Sequence, residues 1–441
     1  MTSSVALVVL DTLRKDYFDK HFQWLDGLSF ENAYSTANWT APAHTSLFTG
    51  QYGSECNVHS KAQNLDCDRP VLAEVLSDAG YTTRGLTAND VCSQVFQFDR
   101  GFEEFIGPSE IKYSQRNLFN WDQFRAENAD LSRTQRYTLG IWKAIISDCA
   151  TIPSLQYGYY LSQNKQEEFA DLQDSGARSA KDIIRKTDHS DGKKFLFLNL
   201  MEAHSPYSPP KEYRSVEPQT INLHETAFGI DKPQDVKAAY NDAVRYLSDQ
   251  YQEIYDELHT HYDYVITVSD HGESLGENEN WGHGYGLYPE ITHVPLVISG
   301  SGVDCGHIDE PVSLVDVHQT IVELTNVRME SRGQNLLGEI NPVDRLAEYR
   351  GLIPFAKNGL EKLNVSKTRL ETLEQPLDAL IGFDGTYAYE TPDGLTVEGD
   401  PKANPSERLD DSVKMISRKT KEVTDDIDER TMQRLEELGY A

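Results

Sequence analysis

The chain has 441 residues, of which 41 are basic and 71 acidic, giving a net charge of −30. That length admits one large α/β domain with a smaller companion, or three small domains. The acidic excess excludes nucleic acid as an expected partner, disfavours anionic membranes, and is the composition of a halophilic, high-salt protein.

Such a surface also repels an anionic substrate at long range unless a metal or a local cluster of donors offsets it. The five cysteines (Cys56, Cys67, Cys92, Cys149 and Cys305) are odd in number, irregularly spaced and without a C-x-x-C pair. They indicate neither a zinc ribbon nor a disulfide framework, and read as small buried hydrophobes. No apolar run approaches the roughly 20 residues of a membrane span. The first residues lead straight into an apolar run with no basic region or cleavage site, so the reading is a cytoplasmic chain without an integral membrane segment. Oligomeric state is not legible.

Val5–Leu10 (VALVVL) is a continuous apolar run, the pattern of a strand buried on both faces, and it stops at Asp11. An Asp there also reads as a plain cap for the next segment. Leu28–Tyr34 reads as a second strand. In STANWTAPAHTSLFTG, residues 35–50, Thr40 precedes Ala41 and Pro42. Pro near a first helical position marks a helix start and Thr before it a cap. The same placement puts the Thr40 hydroxyl at the positive end of a helix, where a tetrahedral oxyanion is favoured.

Val71–Gly80 has helical spacing with a glycine stop, and Tyr81–Thr87 is a strand ending near Asn89. Residues 111–190 are aromatic and polar, with helical patches such as Glu167–Arg185 and tyrosines at 157, 159 and 160. They read as an insertion able to cover a site. Lys194–Leu200 (KFLFLNL) is another buried strand, leading into Met201, Glu202, Ala203 and His204 before a prolyl loop. That loop keeps His204 out of a helix; a surface histidine on a turn is the other reading.

Apolar residues from Val236 to Leu258 recur at helical period, so a long core-facing helix delivers the chain to the run Tyr264–Val268. That run ends in Ser269, Asp270, His271 and Gly272, with Glu273, His283 and His293 close behind. The carboxyl ends of strands are where open α/β sheets build their sites. Val312–Leu324 begins a further helix on which Asp316 and His318 read as structural. Residues 340–380 are mixed and charged, and Ala379–Val397 alternates with turn signals, as an antiparallel meander would. Residues 400–425 read as loose and Glu429–Tyr440 as a terminal amphipathic helix.

Alternating strands and helices make a parallel sheet covered on both faces. The strand ends carrying Asp11, His204 and Asp270–His271 then meet on one edge with Thr40. Hard oxygen ligands with one nitrogen suit a divalent cation, Mn²⁺, Mg²⁺, Ca²⁺ or Zn²⁺, without choosing among them. One cation held by Asp11, Thr40, Asp270 and His271 would lower the pKa of the Thr40 hydroxyl and make it a nucleophile. His204 and His283 would bind the substrate's non-bridging oxygens or protonate its leaving oxygen.

The segments VVLDTLRKD, TAPAHTSLFTG, GYTTRGLTAND, MEAHSPYSPP, VSDHGE and HGYGLYPEITHVPLVISG occur in this order. Together they resemble the sulfatase branch of the alkaline phosphatase superfamily, over residues 3–108 and 193–338; the terminal RLEELGY is similar to the ends of such chains. The resemblance implies an alkaline-phosphatase-like α/β/α sandwich with a mostly parallel central sheet and a small C-terminal α+β subdomain. It further implies a catalytic domain over 1–338 holding the 111–190 insertion, a subdomain and tail over 339–441, and a covalent intermediate on Thr40. It carries the metal role onto Asp11, Asp270 and His271 and anion contacts onto His204 and His283. His44 and Asn89 fall where the family's other substrate-binding residues stand.

Departures from the family pattern redirect the expected chemistry. Sulfatases carry Cys or Ser, matured to formylglycine, in C/S-x-P-x-R; here the place reads Thr40-Ala41-Pro42-Ala43-His44. Threonine cannot become formylglycine. The usual Asp pair near the start is Asp11-Thr12, and the lysine of the loop after D-H-G is His283. A threonine nucleophile with one N-terminal acidic ligand is similar to phosphate-ester members of the superfamily. The expectation is therefore hydrolysis of a small-molecule or glycan phosphate mono- or diester. A sulfate ester at the same site comes second, and a non-catalytic anion-binding relative third.

Overall fold

Val5–Leu10 occupies the middle of an eight-stranded sheet, and every residue in it is buried. Val5, Leu7 and Val9 pack into one hydrophobic cluster, while Ala6, Val8 and Leu10 pack into the cluster on the opposite face. This two-sided burial is why the run is uninterrupted by polar residues. The structure, a computed structural model, describes residues 3–108, 110–111, 117–128, 131–163, 175–187 and 192–419.

The sheet runs in the order Gly306–Ile308, Leu28–Phe30, Leu296–Gly300, Tyr264–Val268, Val5–Leu10, Lys193–Leu200, Tyr81–Thr87, Glu104–Ile106. Only Leu296–Gly300 opposes its neighbours. The four central strands are in register at their carboxyl ends, where Val9 lies between Asn199 and Val268, and Asn199 faces Thr87. Helix Pro233–His261 covers one face with Ala177–Lys186; helices Thr40–Thr49 and Leu314–Thr325 cover the other. This is the expected α/β/α sandwich with a mostly parallel sheet.

Four antiparallel strands (Arg345–Tyr349, Leu377–Ile381, Tyr387–Thr391 and Gly394–Glu398) form a second sheet. Helices Pro354–Lys362, Lys367–Leu373 and Pro405–Lys414 accompany it.

Several expectations are corrected. Leu28–Tyr34 is not one strand. It breaks at Glu31–Asn32, so Leu28–Phe30 joins the large sheet and Ala33–Tyr34 a separate three-stranded one. Glu31 is drawn aside by Lys15 and His307, and Asn32 bonds the Asp309 carbonyl. Residues 405–414 are helical rather than loose: Asn404 caps the first turn, Pro405 opens it and Leu409 is buried.

Within the insertion, Trp121, Phe124, Tyr157 and Leu161 form a small core of their own. The helix Ala177–Lys186 belongs to the layer over the sheet, with Arg178 bonded to Tyr246 and Lys181 paired with Glu253. The start of the Glu167–Arg185 patch and the terminal 429–440 helix lie outside the described residues.

Leu7→Ala removes a fully buried side chain from the central strand and should destabilise the protein by about 2–5 kcal/mol. Equilibrium denaturant unfolding, followed by circular dichroism, measures it.

Candidate active site

The site gathers at the ends of the central strands and the start of one helix. The Asp11 backbone N–H donates to the Leu200 carbonyl at 2.9 Å, the last rung of the central ladder, and its carboxylate is fully buried just beyond. Oδ2 accepts from Asn89 Nδ2 at 2.8 Å and Asn199 Nδ2 at 3.0 Å, and Oδ1 from the Thr12 hydroxyl at 2.8 Å. Thr12 holds φ at 62°, rare for a β-branched residue. Its backbone N–H thereby reaches Asp270 Oδ1 at 3.2 Å, while its carbonyl accepts from Tyr240.

Asp270 stands at the end of the neighbouring strand and is equally buried. Its Oδ1 also accepts the His271 backbone N–H at 2.9 Å. Its Oδ2 has no hydrogen-bond donor; the nearest nitrogens are His271 Nε2 at 3.4 Å and His44 Nδ1 at 3.6 Å. His271 Nδ1 lies 2.9 Å from the Gly272 carbonyl, which places the ring proton there and leaves Nε2 as a bare acceptor. A lone pair therefore faces an undonated carboxylate oxygen, an arrangement that calls for a cation.

One ligand atom each from Asp11, Asp270 and His271 lies within 4.8 Å of the others. The orphaned oxygen, the bare nitrogen and the hard donor set fit a divalent metal. Burial pushes the Asp270 carboxyl well above its usual range, with the Asp11 charge adding to it. Burial works the same way on Asp11, but His204, His271 and the Asn199 bond overcome it and hold that carboxyl at about 2. Burial pulls His271 down.

Thr40 is the first residue of helix Thr40–Thr49, all ten residues of which are buried. Its hydroxyl oxygen lies 3.2 Å from Asn89 Nδ2 and 3.4 Å from His271 Nε2. One turn on, His44 sets its Nδ1 3.0 Å from the Thr40 carbonyl and its Nε2 3.4 Å from Asn199 Nδ2. Burial keeps this imidazole neutral, with its pKa lowered to about 4.

Across the site the His204 and His283 rings meet edge to face at 5.2 Å, and His271 lies 4.4 Å from His283. His204 Nδ1 bonds the Ser205 carbonyl at 2.6 Å. His283 Nδ1 bonds Glu273 Oε1 at 2.9 Å, and Tyr207 donates to Glu273 Oε2 at 2.7 Å. These bonds fix the Nδ1 side of each ring. Glu273 is fully buried, and burial raises it to about 7.

Asp11, Thr40, His44, Asn89, His204, Asp270, His271 and His283 thus come together from five segments of the chain. His293 does not join them: it bonds the Glu31 carbonyl and stacks on Tyr34. Asp316 and His318 are structural, Asp316 pairing with Arg345 and His318 contacting Met329. Asn199 bonds Asp11 and went unread in the sequence, although it is the one polar residue inside an otherwise apolar FLFLNL. Glu273 drew attention as a neighbour of Asp270–His271, but its partnership with His283 depends on a loop return that spacing does not reveal.

The fold is the alkaline-phosphatase-like α/β sandwich, with its strand-end cluster on the carboxyl edge of the sheet. A sequence profile described as Sulfatase matches residues 10–327, and the chain belongs to the sulfatase family. It is 20% identical to the uncharacterized sulfatase YidJ of Escherichia coli, over 74% of this chain and 66% of that protein. It is 23% identical to a choline-sulfatase of Rhizobium meliloti, over 74% and 68%. The chain thus spans about two thirds of the length of these relatives. Among solved structures, a phosphonate monoester hydrolase from Silicibacter pomeroyi superposes with a TM-score of 0.63 at 16% identity, over 94% of each chain. A putative sulfatase from Bacteroides thetaiotaomicron superposes with a TM-score of 0.61 at 13% identity, over 98% and 96%. Among the described residues, no helix is long and apolar enough to cross a membrane.

Asp270→Asn should weaken Mn²⁺ binding by more than about 100-fold, and Asn199→Leu, which strips a donor from Asp11, by about 10- to 100-fold. Titration calorimetry on folded variants reads both.

Proposed function

We propose that the protein is a metal-dependent hydrolase of phosphate mono- or diesters that works through a covalent ester on Thr40. Residues 1–338 are the catalytic part and 339–441 the smaller companion. The observation that carries the reading is the placement of the Thr40 hydroxyl. It opens a buried helix, 3.2 Å from Asn89 Nδ2 and 3.4 Å from His271 Nε2, against the Asp11–Asp270–His271 group.

One divalent cation would be held by Asp11, Asp270, His271 and Thr40. When bound, it supplies positive charge that lowers the hydroxyl pKa, so that Thr40 enters the reaction with its proton already lost to solvent. Thr40 Oγ attacks phosphorus, the bond from phosphorus to the leaving oxygen breaks, and that oxygen keeps the electron pair. A proton from His204 or His283 completes the leaving alcohol. A water then attacks phosphorus, its proton returns to the same imidazole, the bond from phosphorus to Thr40 Oγ breaks with the electron pair kept by Oγ, and phosphate (a phosphate monoester from a diester substrate) is released. Asn89 and the positive end of helix Thr40–Thr49 hold the substrate's developing charge.

His44 is a positioning residue in this reading. Both its nitrogens are engaged inside the protein, on the Thr40 carbonyl and Asn199. Glu273 positions His283 in the same way. Sulfate ester hydrolysis by the same residues is the second reading, supported by the family match and by the choline-sulfatase relative. Against it stands Thr40, which cannot supply the hydrated aldehyde of formylglycine.

Turnover of p-nitrophenyl phosphate, bis-p-nitrophenyl phosphate and p-nitrophenyl sulfate with added Mn²⁺ ranks the esters. The phosphate esters are expected to lead; a lead for the sulfate moves the substrate to the second reading. Thr40→Ala should lower kcat by at least about 10³-fold, and survival of activity removes the nucleophile assignment. Mass spectrometry of a quenched reaction should find phosphate on the peptide containing Thr40. His283→Asn should cost about 10²- to 10⁴-fold in kcat on alkyl phosphates and much less on p-nitrophenyl phosphate, whose leaving group needs no proton.

A further inference from the structure

Beside His283 the site opens into a pocket of about 760 Å³, open mouth included. One wall is Trp39, Ile221 and Leu223; the other is Leu352, Ile353 and Leu360, from the segment leading into and along helix Pro354–Lys362. The catalytic edge of the large sheet and the C-terminal subdomain therefore enclose it jointly. Among the described residues no lysine or arginine lines it, and its only charge-bearing side chains besides tyrosines are Glu273 and His283. Two lining groups, the Asn38 side-chain oxygen and the Tyr285 hydroxyl, are buried without a hydrogen-bond partner. Burial pushes the Tyr285 phenol up to about 12, so it stays a neutral donor.

We propose that this pocket binds the leaving alcohol of the ester and selects an uncharged, largely apolar one, aryl or alkyl, with a polar group or two to meet Asn38 and Tyr285. The inference rests on the hydrolase reading and narrows its substrate class. An apolar wall gains free energy from burying hydrocarbon, whereas a sulfated or carboxylated sugar would lose hydration there with no lysine or arginine among the lining residues to replace it, Arg369 lying behind the Tyr285 ring at 5.9 Å from its centroid. Highly charged glycans are thereby excluded from this subsite, and the acidic surface works in the same direction.

Gly284 is the place to narrow the pocket. Gly284 lines it, its φ lies outside the left-handed region, and a Cβ built there meets nothing within 4 Å. Calorimetric titration of the wild-type chain, with Mn²⁺ present, with 2-naphthol and with glucosamine 6-sulfate compares the two ligand classes directly. Naphthol should bind at least tenfold more tightly than the charged sugar, and Gly284→Phe should weaken naphthol at least tenfold. In parallel, kcat/KM for naphthyl phosphate relative to methyl phosphate should fall at least tenfold in the same variant. Leu360→Ala, which enlarges the far wall, should shift that preference toward bulkier alcohols.

Equal or tighter binding of the charged sugar overturns the proposal, as does naphthol binding or an ester preference indifferent to Gly284→Phe. The two readings fail separately. Naphthol binding that responds to Gly284→Phe in a protein that cleaves no ester keeps the pocket and removes the hydrolase; an active hydrolase blind to that variant does the reverse.

Discussion

Two carboxylates that water cannot reach, brought to adjacent strand ends, set the terms for everything around them. At separations below 5 Å and an effective dielectric of about 20, two such charges repel by about 4 kcal/mol. Asn89, Asn199 and Thr12 all donate to the Asp11 carboxylate and hold it ionised, leaving lone-pair capacity for a cation. The other keeps one oxygen without a donor. That asymmetry makes the cluster a receptor for positive charge rather than a closed polar network. A central position suits the strand carrying Asp11: Asn199 donates to its carboxylate from one neighbouring strand, while Asp270 stands at the end of the other and accepts the Thr12 N–H.

Most of this framework was readable from hydrophobic pattern. Val5–Leu10, Phe195–Leu198 and Val265–Val268 are buried on both faces, so their runs are largely apolar and their polar stops conspicuous. Reading the stops as site residues follows, because strands of one sheet share an edge. What could not be read depends on how loops return. Glu273 and His283 become partners through a two-stranded turn, Ser274–Leu275 with Trp281–Gly282, whose residues carry little β signal. The break in Leu28–Tyr34 escaped for a related reason: Glu31 and Asn32 are diverted by partners far along the chain, which local propensity does not see.

The C-terminal sheet is more than an appendage. Its hydrophobic cluster runs through Tyr349, Leu352, Leu360 and Leu373 to Tyr285 and Leu287, just past His283 in the sequence. Tyr387 further ties the two parts together, donating to the Leu287 carbonyl and accepting from Thr292. The loop bearing His283 is thus held between two packed bodies. A histidine that must present Nε2 at a fixed angle gains from such a clamp, since neither its ring nor its backbone can drift without unpacking both.

The sheet order has a consequence for biogenesis. Val5–Leu10 leaves the ribosome well before its partners, Lys193–Leu200 and Tyr264–Val268. An uninterrupted hydrocarbon strand with two unsatisfied edges must therefore wait until the chain has been synthesised as far as Val268. At about 5–20 residues per second, that delay is on the order of tens of seconds. The nascent chain is exposed to misassociation throughout this interval, and chaperone occupancy of the N-terminal strand should persist until Tyr264–Val268 has cleared the exit tunnel.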